Sequence, residues 1–380
     1  MVDNDKIENY RAPETSIESV DGDLIQIYCA DSLPPMGAAI AIEAGPEQSD
    51  KPRLYAMCQR HLGAHRLQAW LPMAPSWITA GLRAEPTDLA AGFSPPDTSA
   101  LTPNPTIIHP LSTGDIPLWP EAPTWSELAG NSAALSLDIA AIDALAPVCR
   151  GGINLIIDTT SSAASSRRLT QTIYQKLSAD TVLLCARSDG SGELDALDDA
   201  WRITPDGSLP SHIASLQLTI AMASRLREHP FGLTIVELPT FRSSPSESTS
   251  PPGKLPPQGL PEIIDRLGRH LVSTSTSSLT TVLLLHITDD LSGLGDIIDT
   301  LRLGDVDSTI IIDRDGRFAP QRSTSRAGLD DAATKQRKDY LQTLTLAGRA
   351  REKATLFGEQ ELSDAERRAV EACDDLRIQI

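Results

Sequence analysis

The residues best suited to chemistry lie in one stretch. Residues 153–157, I-N-L-I-I, form an apolar run of buried-strand type. The segment D-T-T-S-S-A-A-S follows (Asp158, Thr159, Thr160, Ser161, Ser162, Ala163, Ala164, Ser165), and a helical pattern runs over 166–177. A strand, a short loop of small residues and a helix form the arrangement in which backbone amides at a helix N-terminus cradle a phosphate. That chemistry needs glycines, which let backbone N–H groups approach the anion, and a lysine to neutralise charge. The pair Gly151 and Gly152 stands ahead of the strand, while the loop itself has neither glycine nor lysine. Ordinary ATP hydrolysis at this loop is not expected, and an anion at Asp158 would repel the ligand.

Two residues could still serve a metal-bound nucleotide. Ser165 carries a hydroxyl for magnesium, and Glu237 ends the apolar run 233–236. The competing reading makes them a helix-capping serine and a strand-end carboxylate, and it is the favoured one. His61 and His65 are four apart, the spacing of two ligands on one helix face, but no third ligand stands nearby, so ordinary surface or core histidines are expected. Five scattered cysteines, Cys29, Cys58, Cys149, Cys185 and Cys373, lack C-x-x-C spacing and read as free thiols. Gly190-Ser191-Gly192 lacks the full G-x-G-x-x-G spacing, and neither G-x-S-x-G nor H-E-x-x-H occurs.

The elements that must position these residues can be placed from composition and pattern. At 380 residues, two or three domains are expected. Hydrophobic residues make up 40% and aromatics 4%, so cores must be built from Leu, Ile, Val and Ala. The net charge of -18 argues against nucleic acid, whose binding rests on Lys and Arg. No apolar run reaches the roughly 20 residues that span a bilayer, and the acidic N-terminus lacks a signal-peptide pattern.

Short apolar runs at 24–28, 38–42, 54–57 and 67–71, separated by turn residues, predict a small barrel or sandwich. Residues 97–115, rich in Pro and Thr, read as a linker. From about 133 to 312, buried-type strands at 155–157, 182–185, 233–237 and 282–287 alternate with helix-length segments such as 166–177 and 212–227, predicting a largely parallel sheet. The Ser/Pro run at 243–257 reads as a surface insertion. A long helix over 332–357 stops at Gly358, and Ser363 with Glu366 forms a capping box for a last helix.

With those elements placed, the chain resembles the beta subunit of F-type ATP synthases. The matching stretches keep the family's order: Leu33-Pro34-Pro35, then Q-R-H-L-G at 59–63, P-L-W-P-E-A-P-T-W at 117–125 and the segment 140–152 before the loop. S-L-T-T-V-L-L-L-H-I-T-D-D-L at 278–291, S-T-S-R at 323–326 and Q-E-L-S-D-A-E at 360–366 continue the series. The last resembles the family's acidic loop that faces the rotating shaft. The chain stops soon afterwards, without the family's remaining helices.

The resemblance implies a multidomain chain. It would have an N-terminal small beta-barrel (1–100), a central α/β RecA-like nucleotide domain with a degenerate P-loop (115–330) and a short, truncated C-terminal helical domain (331–380). In the family the loop reads G-G-A-G-V-G-K-T. Ala164 then takes the lysine position, Ser165 the metal-binding threonine, and Asp158, Thr159, Ser161 and Ala163 the glycines. The family's G-E-R triplet corresponds to Arg187-Ser188-Asp189, so Ser188 replaces the residue that polarises water and Asp189 reverses a phosphate-contacting charge. Losing a positioned base costs about 10²–10⁴ in rate, so no catalytic residue is expected. Ser165 and Glu237 would be vestigial magnesium contacts, and Mg-ATP or Mg-ADP could bind only weakly. Arg326 matches a position that supplies an arginine to a neighbour's site, with a salt bridge inside the fold as the alternative.

Gln360, Glu361, Leu362, Ser363, Asp364, Ala365 and Glu366 would form the rotor-contact loop. The implied partners are alpha-like or beta-like ring neighbours and the central shaft, with no nucleic acid and no membrane insertion. The implied location is cytoplasmic, peripheral to a membrane through the complex. A non-catalytic ring component is the leading expectation; a residual ATP-binding or ATP-hydrolysing subunit and a free-standing interaction protein are the rivals.

Overall fold

The computed structural model describes residues 15–45, 50–95, 100–129, 133–177, 181–187, 200–205, 209–238, 266–287 and 306–376. Described residues fall into two compact units, each taken by itself. The first lies within Met1–Asp97, Leu101–Glu121 and Pro205–Met222; the second lies within Thr98–Ala100, Ala122–Thr204 and Ala223–Ile380.

The first unit is built on β1 (Ser16–Asp21), β2 (Leu24–Tyr28), β3 (Ala38–Ile42), β4 (Leu54–Gly63), β5 (Arg66–Trp70) and β6 (Ala84–Phe93). Its strands run in the order β1-β2-β5-β4-β3-β6, all antiparallel. The two ends of that path meet. Ser16 bridges Arg83, Ile17 N donates to Leu82 O at 2.9 Å and Ala84 N donates to Thr15 O at 3.1 Å. The junction covers the outer edge of β1 at its amino end, and alternate residues such as Ile17, Ile25, Ile27, Ile40, Ile42 and Leu67 fill the interior.

The strands expected at 24–28 and 38–42 occur with those bounds, whereas β1 and β6 went unread. S-I-E-S-V-D carries only two apolar residues, and A-E-P-T-D-L-A-A-G-F opens on a polar, proline-bearing stretch without alternation. The segment expected as a linker is partly paired. After the two-residue β7 (Ala100–Leu101), β8 (His109–Pro110) and β9 (Ile116–Pro117) both pair with β6. A strand with a spare edge recruits even proline-bearing segments, since proline still offers its carbonyl.

The second unit contains β10 (Ala133–Leu135), α1 (Ala140–Leu145), β11 (Val148–Arg150), β12 (Ile153–Asp158), α2 (Ala164–Lys176), β13 (Val182–Ala186), β14 (Trp201–Ile203), β15 (Phe231–Glu237), β16 (Ser278–His286), β17 (Ser308–Ile312) and β18 (Thr324–Ser325). An 18-residue helix, α3 (Leu209–Leu226), stands between β14 and β15 in the chain. The strand order is β18-β17-β12-β16-β15-β13-β14. Every pair from β17 to β14 is parallel, and β18 runs antiparallel, on β17. Continuous apolar strands such as L-I-I and T-V-L-L-L suit a sheet buried on both faces.

On one face, Ile156, Leu183, Cys185, Leu233, Ile235, Val282, Leu284 and Ile310 pack with Leu169 and Ile173 of α2. The same cluster takes in Leu344 and Ala347 of α4 (Asp331–Phe357) and Ala369 and Cys373 of α5 (Asp364–Leu376). The C-terminal hairpin therefore shares a core with the sheet. Lys353–Glu366 (3.0 Å) and Arg351–Asp374 (2.7 Å) join the two helices of the hairpin. Gly358, at φ +93°, ends α4 as its sequence predicted. Among the described residues no helix is long and apolar enough to cross a membrane.

Candidate functional site

The carboxyl ends of parallel strands are where such sheets hold ligands, above all where adjacent crossovers leave in opposite directions. Here β12 leads away to β13, beyond β16 and β15, while β16 leads past β12 to β17. The point between β12 and β16 is thus the switch, and there the chain places Asp158 opposite His286.

The Asp158 side chain, 1% exposed, turns onto the start of α2. Its Oδ1 accepts from Thr160 N (2.8 Å) and Thr160 Oγ1 (2.6 Å), and its Oδ2 accepts from Ser166 N (2.9 Å). Helix α2 has no acidic residue in its first turn and no side-chain cap from Ala163. Asp158 therefore supplies the anion that the positive end of the helix dipole favours. The loop is pinned on both sides. Thr159 N and Oγ1 donate to Ile312 O at 3.1 and 2.9 Å, fixing it to β17. His286 Nε2 donates to Thr160 O at 2.6 Å, fixing it to β16.

Ala163 turns the loop into the helix in the left-handed conformation, φ +53° and ψ +17°. For a residue with a Cβ that costs about 1–2 kcal/mol, and the resemblance assigns a glycine there. The left-handed turn is made here without the residue that makes it easy. Ser161 and Ser162 are exposed at the tip, Ala164 is half-buried and Ser165 is buried.

The other sequence-predicted residues are not gathered around this loop. Glu237, half-buried at the end of β15, is level with Leu284 of β16 and so with Ile156 of β12. Two strand spacings, roughly 10 Å, separate it from β12. Arg326 follows β18, and its N–H donates to Asp307 O (2.7 Å), level with the start of β12. It thus lies at the opposite end of the sheet from Asp158. Arg326 is exposed and makes no ion pair among the described residues. Ser188 and Asp189, like Gly190-Ser191-Gly192 and the run at 243–257, lie outside the described residues.

Gln360 and Glu361 belong to a single 3₁₀ turn, Glu359–Glu361, capped by Leu362, and Ser363, Asp364, Ala365 and Glu366 lead into α5. The capping box forms. Glu366 N donates to Ser363 Oγ (3.3 Å), while Glu366 Oε2 accepts from Ser363 N (2.7 Å). Those bonds and Lys353 hold the Glu366 carboxyl down at about 2.

His61 lies on β4, not on a helix, with Nε2 2.7 Å from Pro34 O, and His65 Nδ1 is 2.9 Å from Asp31 O. Both are spent on the neighbouring loop. Among the described residues no group of three or more His, Cys, Asp or Glu could hold a metal ion. All five cysteines are free and buried, and burial pushes the Cys58 and Cys149 thiols up to about 11.

Sequence reading overlooked two residues. His286 ends a buried strand beside the loop strand, a signal visible in the run L-L-L-H. Asn154, fully buried in β12, accepts from Cys149 N (2.7 Å) and donates to Cys149 O, Gly152 O and Thr281 O. A lone asparagine inside an apolar strand is its signal. No protein-family model matches the chain, and no curated protein matches it either.

Proposed function

We propose that this chain is a degenerate, non-catalytic relative of the rotary ATP synthase beta subunit, acting as a structural or regulatory member of a ring of related subunits. The observation that carries the reading is Asp158. Its carboxylate takes the amides of Thr160 and Ser166, the kind of donors that a phosphate-binding loop would present to a nucleotide. A bound phosphate would have to displace a buried, triply hydrogen-bonded carboxylate and then sit beside its charge. With no lysine in the loop, nothing there offsets that repulsion.

Three further features support the family assignment. A six-stranded sheet joined end to end precedes the parallel sheet in the chain. The loop strand β12 is interior, separated from the strand that bears Glu237 by one later strand, β16. A helical hairpin with an acidic turn follows. The exposed Arg326, far from its own loop, supports contact with a neighbouring subunit over use within the chain.

Calorimetric titration with Mg-ATP and Mg-ADP tests the absence of chemistry: no saturable heat is expected below ~1 mM. A dissociation constant in the micromolar range would overturn it and restore the ATP-binding alternative. Ring membership is tested separately, by size-exclusion chromatography with ATP synthase subunits from the same cell. A chain that stays monomeric and never co-elutes defeats the ring role and leaves the free-standing interaction protein.

A further inference from the structure

Two of the large apolar side chains left in water, Met36 (56% exposed) and Leu89 (53%), line the same groove of the first unit. The groove holds about 230 Å³ and is also lined by Gly37, Pro117 and Trp119. Its shape follows from two local features. Gly37 sits at φ +84°, and a Cβ there would lie 2.9 Å from the Trp119 Cβ, so only glycine lets the indole come down onto β3. Strand β6 bulges opposite: pairing with β3 passes from Ala38↔Ala90 to Ile40↔Pro86, leaving Thr87, Asp88 and Leu89 against the single residue Ala39. Thr87 Oγ1 ties the bulge back by donating to Ala39 O at 2.8 Å. Bulges of this kind re-aim side chains, and here Asp88 and Leu89 are brought to the groove's edge.

We propose that this groove docks an extended, proline-containing peptide of a partner protein, with a lysine or arginine of that peptide meeting Asp88. The size is below the roughly 300–1,000 Å³ of small-molecule sites and too small for the face of a helix about 10–12 Å across. An added β-strand finds both edges of β3 taken, by β4 and β6, and the carboxyl end of β6 taken by β8 and β9. A polyproline II peptide needs no main-chain partner and presents flat rings to aromatic-lined grooves. Charge selects the flanking residue: Asp88 is exposed, and the chain carries a net -18.

The test is fluorescence anisotropy with the full chain and a labelled twelve-residue peptide bearing two prolines three apart and one flanking arginine. Saturable binding is expected, weakened about tenfold by Leu89→Ser and by Asp88→Lys, one tenfold step being the cost of one good contact. Met36→Ser repeats the apolar test from the other rim residue. These side chains are exposed, so far-UV circular dichroism should match wild type. The proposal is overturned by absence of saturation up to ~1 mM, or by unchanged affinity in both Leu89→Ser and Asp88→Lys. Equal binding of a proline-free, helix-forming peptide of the same charge would overturn it too.

Discussion

Replacing Asp158 with alanine should loosen the second unit at the junction of β12 and α2. The carboxylate is 1% exposed and serves two backbone amides and one hydroxyl. The hydroxyl of Thr160 can rotate to another acceptor, but the amides of Thr160 and Ser166 cannot. Each buried donor left unpaired costs about 1–3 kcal/mol. Release of the carboxylate's own desolvation and entry of a water into the vacated space offset part of this. The net loss should be about 2–4 kcal/mol, a large share of a typical 5–15 kcal/mol.

Asp158→Asn keeps an oxygen toward Thr160 and turns an amide N–H toward Ser166 N, so it should cost about 1–3 kcal/mol. Urea denaturation followed by far-UV circular dichroism reads both, with the midpoint falling in the order wild type, Asn, Ala at a constant slope. An alanine variant within about 0.5 kcal/mol of wild type, the scatter of ordinary surface substitutions, would show that Asp158 is not the anchor of α2. So would an asparagine variant as damaged as the alanine one.

Other outcomes follow from the same reasoning. Burial pushes the Asp23 carboxyl up to about 6, against donation from the Met73 and Ala74 amides, and its Oδ2 has no partner. A raised folded-state value means that stability falls as pH rises from about 3.8 to 6 and is flat above. Asp23→Asn should flatten that slope and melt higher than wild type at pH 7; an unchanged pH profile of melting temperature would refute it. The Glu366 carboxyl, held at about 2 by the Ser363 amide, Lys353 and the Ser363 hydroxyl, should stabilise the hairpin above pH 4.5 and lose that effect as pH falls toward 2. Carboxyl chemical shifts across that range decide it. Ser363→Ala should weaken α5 by about 1 kcal/mol, seen as faster amide exchange in its first turn. Asn154→Leu should cost about 2 kcal/mol, because it leaves the Cys149 amide without its acceptor and takes one donor from each of three carbonyls; a thermal melt within 2 °C of wild type would count against it.

Strand and helix content was legible because burial on one or both faces writes itself as apolar spacing. I-N-L-I-I and S-L-T-T-V-L-L-L-H could be little else than core strands, and the S-x-x-E box named the start of α5. The loop's lack of glycine and lysine was equally plain, and with it the expected absence of phosphate chemistry. Strand order was not legible. It depends on which runs pair across gaps of more than a hundred residues, as Leu155 does with Leu283, and local pattern carries no such address.

The fate of Asp158 lay beyond sequence for the same reason. Its charge could be read as repulsion toward a ligand. Its bond to Ser166 N, eight residues on, exists only because the left-handed turn at Ala163 swings the helix start over it while Thr159 and His286 clamp the loop from β17 and β16. The bulge that brings Leu89 to the edge of a groove, and the glycine that lets Trp119 close it, are likewise contacts between distant segments. Residue types set the expectation that phosphate chemistry is absent; the packing of remote strands decided which side chain meets the amides at the start of α2.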